Sequence, residues 1–141
     1  MNQLRKLLGV LAVTLLVAIP LHAAPKDKNV TAYLFGFAAS FNDSIVYITD
    51  IQEVATAYVT KKHNHLVDRS EYSYQLRNYL TEQHPGTHPT AVTYYALNRK
   101  KAEKKYAKLK RKYTEKAKGR YIVIYVKPEE FKYQTVAREE K

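Results

Sequence analysis

Lysines, arginines and histidines are the side chains of this 141-residue sequence whose grouping could do chemistry. Residues 98–120 hold twelve basic and two acidic side chains, a net charge of +10. Residues 24–97 sum to −1 and residues 121–141 to zero, so nearly all of the chain's +11 lies in one short segment. Within it Ala102, Tyr106, Leu109, Tyr113 and Ala117 recur at spacings of 4, 3, 4 and 4, which predicts one amphipathic helix. Lys100, Lys101, Lys104, Lys108, Arg111 and Lys118 fall away from that apolar stripe and form a candidate anion-binding set. The matching partner would be anionic: lipid headgroups, lipopolysaccharide or an acidic glycan. Cations also stand four apart at 100/104, 101/105, 104/108, 108/112 and 112/116. Each such pair opposes helix formation by about 0.2–0.5 kcal/mol, and Glu103 and Glu115 are too few to cancel them.

Four histidines offer a different chemistry. His63 and His65 flank Asn64, and His84 and His88 are four apart. Imidazoles bind zinc, but a site needs three or four converging ligands, here drawn from two loops. The corresponding reading is a small metal-dependent hydrolase. Other chemistries are excluded by composition. With no Cys there is no thiolate nucleophile or thiolate metal site. The four glycines, Gly9, Gly36, Gly86 and Gly119, are isolated, so no phosphate-cradling loop can be built, and no Gly-x-Ser-x-Gly elbow occurs. The sequence thus favours a non-catalytic binding or adaptor protein over an enzyme, and it implies no cofactor.

The N-terminus reads as an export signal. Arg5 and Lys6 precede an apolar run from Leu7 to Leu21, followed by His22-Ala23-Ala24-Pro25. A basic start, an apolar core and small residues before a polar chain predict a signal peptide over residues 1–23, cleaved after about Ala23. The expected location is the bacterial periplasm or the exterior, which argues against nucleic acid as the partner. Residues 24–141 then form a single small domain, large enough to be held by its own core.

The elements that must position the charged groups follow from patterning. Val30–Phe41 is apolar almost throughout and predicts a buried strand. Asn42-Asp43-Ser44 turns the chain into a second strand, Ile45–Thr49. After Asp50, residues Ile51, Val54, Ala55, Tyr58 and Val59 lie at helical offsets, with Glu53 at the capping-box position, so residues 51–59 predict a helix. Asp68 or Ser70 caps a further helix, with Tyr72, Leu76, Tyr79 and Leu80 on one face, ending near Gln83. Ala91–Leu97 predicts a third strand. Asn98 caps the basic helix, which should run to Gly119, and Tyr121–Val126 predicts a fourth strand.

The fold class is α+β, ββααβαβ, with a four-stranded mixed sheet and helices on at least one face. The third and fourth strands flank a crossover helix and should be parallel. Placing the most apolar strands centrally gives the order 2-1-4-3. Tyr33, Phe35 and Phe37 share one face of the first strand, and Tyr121 and Tyr125 one face of the last. Should these coincide, one side of the sheet is aromatic. It is then either covered by the middle helices, which supply Tyr58, Tyr72 and Tyr79, or open as a homodimer or ligand surface.

Overall fold

The computed structural model describes residues 26–138; the expected signal segment, residues 1–23, lies outside that range. The longest strand, β1 (Asp27–Ala39), is the spine of one mixed sheet. β2 (Ile45–Thr49) returns antiparallel after a turn in which the Asp43 carboxylate accepts the Ile45 N–H at 3.0 Å. β3 (Gln52–Thr60) also pairs antiparallel with β1. After α1 (Arg69–Gln83) comes β4 (Thr90–Ala96), antiparallel to β1. α2 (Arg99–Tyr113) leads to β5 (Ile122–Val126), which runs parallel to β2. The protein is α+β, with five strands and two helices among the described residues.

Pairing registers fix the strand order. Tyr33 and Leu34 pair with both β3 and β4, and Phe37 to Ala39 pair with both β2 and β4. A strand has two edges, so β2 and β3 must share the one opposite β4. They are halves of one bent strand. From Phe37↔Ile48 to Leu34↔Gln52, three steps along β1 face four along the partner, which is one extra residue. A second extra residue lies between Val54 and Ala57. The spatial order is therefore β4, β1, β2 with β3, then β5.

Three expectations are corrected here. Residues 51–59 were expected to be helical, and they form most of β3. The cause is the second bulge. It breaks the alternation, so the buried residues are Gln52, Val54, Ala57 and Val59, and the step from 54 to 57 imitates a helical offset. Glu53, rather than capping a helix, meets Arg99 of α2 at 3.8 Å. The sheet accordingly has five strands, not four. The order 2-1-4-3 also fails, because β4 takes the free edge of β1 and leaves β5 only the outer edge of β2. β4 and β5 do run in the same direction, but β1 and β2 lie between them.

The helices cover opposite faces. α1 presents buried Tyr72, Leu76 and Leu80 to Ala32, Leu34 and Ala38 of β1. On this side Gly36 leaves room: a methyl group there would collide with Leu76 and with the Tyr133 hydroxyl. The layer is completed by residues 131–136, which pair with no strand among the described residues. Two glutamines hold it. Gln52 donates to the Phe131 carbonyl at 2.8 Å and accepts the Tyr133 N–H at 2.7 Å. Gln75 donates to the Gln134 carbonyl at 2.9 Å and accepts its N–H at 2.8 Å. Phe131 and Tyr133 are thereby buried in the core.

Candidate functional site

The opposite face of the sheet is the aromatic one, and α2 covers it. Asn98 starts the helix as expected, its side chain accepting the N–H groups of Lys100 (2.9 Å) and Lys101 (3.3 Å). Ala102 and Leu109 are buried. Tyr106 meets Phe35 edge to face at 5.5 Å, and Tyr113 lies 4.6 Å from Phe37 and 5.1 Å from Tyr121. Tyr94 of β4 stacks on Phe35 at 5.1 Å. Tyr33, Phe35, Phe37, Tyr121 and Tyr125 do share one side, but the basic helix is its lid, while α1 and its Tyr72 and Tyr79 lie across the sheet. Burial, then the nearby charge of Asp50, raises the pKa of the Tyr106 phenol.

The helix ends earlier than expected. The Thr114 hydroxyl and N–H both bond to the Lys110 carbonyl, at 2.7 and 3.0 Å, and the chain turns through residues 114–119. Lys118 and Gly119 have positive φ of 50° and 77°. Lys118 therefore belongs to this turn and not to the helix face assigned from sequence.

The remaining cations divide by the angle at which they leave the helix. With 100° per residue, Lys100, Lys104 and Arg111 stand on the outer crest. Arg111 lies 3.9 Å from Glu115, with both side chains exposed. Arg99 and Lys110 occupy the flank toward β3 and β5. The Arg99 guanidinium lies 4.9 Å from the Tyr33 ring centre, and the Lys110 ammonium 5.5 Å from that of Tyr125. On the other flank Lys101, Lys105, Lys108 and Lys112 follow one another along the helix above the β4 edge, and Lys116 continues the line past its end.

That flank closes a groove. One stretch of about 450 Å³ is lined by Tyr94, Lys105, Lys108, Leu109, Lys112 and Lys116. An adjoining stretch of about 540 Å³ shares Tyr94 and Lys105 and adds His65, Arg69, Tyr95 and Lys101 among others. Among the described residues neither has a carboxylate in its lining. Arg69, the first residue of α1, reaches in from the opposite face of the sheet. Its Nε donates to the Thr93 carbonyl at 2.6 Å. Its guanidinium and the Lys105 ammonium each lie 5.6 Å from the Tyr95 ring centre. The Tyr95 hydroxyl donates to the Asn64 carbonyl at 3.1 Å, which fixes the ring.

Of the six cations named from sequence, the groove gathers Lys101 and Lys108. It adds Lys105, Lys112, Lys116 and Arg69, which sequence reasoning left out. The i,i+4 pairs at 101/105, 108/112 and 112/116 already marked this line. Nothing in the sequence says which flank meets a sheet edge.

The histidines stay apart. His63 and His65 stack at 5.4 Å before α1, whereas His84 follows its last residue and packs on Tyr47 at 5.5 Å. Fifteen helical residues, about 22 Å, separate the two places. His88 lies elsewhere, in a depression with Ser70, Ser73 and Arg77. Among the described residues no three His, Asp or Glu side chains are grouped to hold a metal ion. Comparison of the chain with protein families, with characterised proteins and with solved structures finds no match.

Proposed function

We propose that this is a non-catalytic binding protein of the bacterial cell envelope, exported by its N-terminal segment, whose lysine-lined groove takes an acidic glycan. The observation that carries the reading is a groove with five lysines and one arginine in its walls and, among the described residues, no carboxylate. Cations in line above an aromatic floor suit a linear polyanion: ammonium groups meet its charges, and the open face of Tyr94 offers a surface for a sugar ring. A flat lipid surface would instead engage the crest formed by Lys100, Lys104 and Arg111. The two ligand chemistries therefore call on different side chains.

Calorimetric titration with polygalacturonate, beside co-sedimentation with phosphatidylglycerol vesicles, tests the proposal. Glycan binding should weaken roughly tenfold or more between low and physiological salt. Replacing Lys108, Lys112 and Lys116 by Glu should abolish it, while Lys100→Glu, Lys104→Glu and Arg111→Glu together should reduce it only a few-fold. Vesicle binding lost on changing the crest, with no glycan binding at all, would replace the groove reading by a membrane one.

A further inference from the structure

The two edges of the sheet are finished differently, and the difference points to a second copy of this chain. At the β4 edge the outward carbonyls of Thr93 and Tyr95 are occupied by Arg69 and Lys105. The β5 edge has no such cover among the described residues. Ile122 donates to the Ser44 carbonyl and Val126 accepts from Asp50, so Ile122, Ile124 and Val126 direct their main-chain groups at β2. Val123 and Tyr125 point theirs outward, and these four groups have no hydrogen-bond partner among the described residues. The next outward N–H, of Lys127, is already taken by the Glu130 carboxylate at 3.2 Å. The side chains around the bare groups are apolar and open: Ile122 is 61% exposed, Ile124 37% and Tyr125 39%. An uncovered apolar edge is a template for another strand.

We propose that β5 pairs antiparallel with β5 of a second copy, on a two-fold axis at Ile124, joining the two sheets into one. Parity fits. Val123 of each copy then faces Tyr125 of the other, and two such residues exchange both of their hydrogen bonds. All four outward groups are satisfied, with none left over. Ile124 meets its own counterpart, and Ile122 meets Val126.

Charge fits as well, and this selects the chain itself over an unrelated strand. Exposed Lys118 and Arg120 precede β5; exposed Glu129 and Glu130 follow it, flanked by exposed Lys127 and Lys132, so the first end is basic and the second is balanced. Reversing one copy against the other sets the basic end of each beside the end of its partner that carries Glu129 and Glu130 and keeps the two basic ends apart. A parallel arrangement would set the two basic ends together. The interface is two-fold and closes on itself, so it ends at a dimer. The lysine groove lies across the sheet at the β4 edge and stays open in both copies.

Sedimentation equilibrium over roughly 10 µM to 1 mM at physiological salt tests the pairing. The wild-type chain should pass from monomer to dimer across that range. Val123→Pro removes one outward N–H without touching the ladder to β2, and Ile124→Lys places two ammonium groups on the axis. Each should weaken association at least tenfold while leaving the circular dichroism spectrum unchanged. One chain carrying Lys118→Glu with Arg120→Glu should remain monomeric. So should another carrying Glu129→Lys with Glu130→Gln, in which the amide oxygen keeps the cap on Lys127. Mixed, the two should form a heterodimer. A wild-type monomer at the highest concentration overturns the proposal, as does a dimer indifferent to Val123→Pro or to the charge exchange.

Discussion

Lys105 donates from Nζ to the main-chain carbonyl of Tyr95 at 2.9 Å, while its ammonium stands 5.6 Å from the ring centre of the same tyrosine. One side chain thus closes a hydrogen-bonding position on the sheet edge and leaves its charge at the wall of the groove. Arg69 does the same for Thr93 from the other face. Edge protection and positive potential come from the same atoms.

Removing both caps separates the two effects. Arg69→Met with Lys105→Met keeps the apolar stems and frees the carbonyls of Thr93 and Tyr95. The double variant should fold, and it should aggregate faster than wild type under agitation, as followed by light scattering and thioflavin T. Each single change should fall between.

The helix itself should respond to salt in an unusual direction. Because α2 ends at Tyr113, four of the five like-charge pairs fall inside it: 100/104, 101/105, 104/108 and 108/112. Together they oppose folding by about 1–2 kcal/mol at low ionic strength. Urea unfolding in about 20 mM and about 200 mM sodium chloride should show stability rising with salt, by roughly 0.5–1 kcal/mol. A protein held by surface ion pairs would show the opposite trend.

Gly36→Ala tests the packing under α1. The added methyl collides with Leu76 and the Tyr133 hydroxyl, both fixed in the core. Overpacking of this kind costs about 1–3 kcal/mol, and chemical unfolding should register it as a lower midpoint.

Gln52→Ala removes both ends of a clamp. The buried Phe131 carbonyl and Tyr133 N–H lose their partner together. A loss of about 2–4 kcal/mol is expected. Amide exchange should place the fastest new opening in residues 131–136, with β1 and β4 slower to respond.

Alkaline pH reports on Tyr133. Burial pushes its pKa up to about 12, opposed by its contact with Thr93. The unfolded chain releases the phenolic proton near the ordinary value of about 10. Between those values the folded state holds a proton that the unfolded state has lost, so stability falls as pH rises. The contribution is complete below pH ~10 and gone above ~12, worth about 2–3 kcal/mol. Tyr133→Phe should show a shallower decline over that window in unfolding titrations.

Local chemistry was readable from sequence wherever neighbours in the chain decide it. Asn98 caps its helix, Asp43 closes its turn, and Tyr72, Leu76 and Leu80 form the inner face of α1, all as their spacing implies. β3 was not readable, because its bulge converts a two-residue alternation into a helix-like step. The edge position of β5 was hidden for another reason: apolar side chains report burial, and here they report an open rim. In the groove the concentration of charge was plain, but its useful flank was not. Lys105 and Lys112 gain their meaning from β4, and Arg69 from a helix on the far side of the sheet.

The glutamine clamps also bear on when the chain can fold. Gln52 finds its partners 79 and 81 residues further on, and β5, which flanks β2, is nearly as late. Until that tail arrives, α1 already covers Leu34, but the surface beside Leu76 and Gly36 that Tyr133 fills is incomplete. Closing this side of the interior waits for residues 131–136. The chain therefore stays threadable while it is being made, which is what the export proposed above would require.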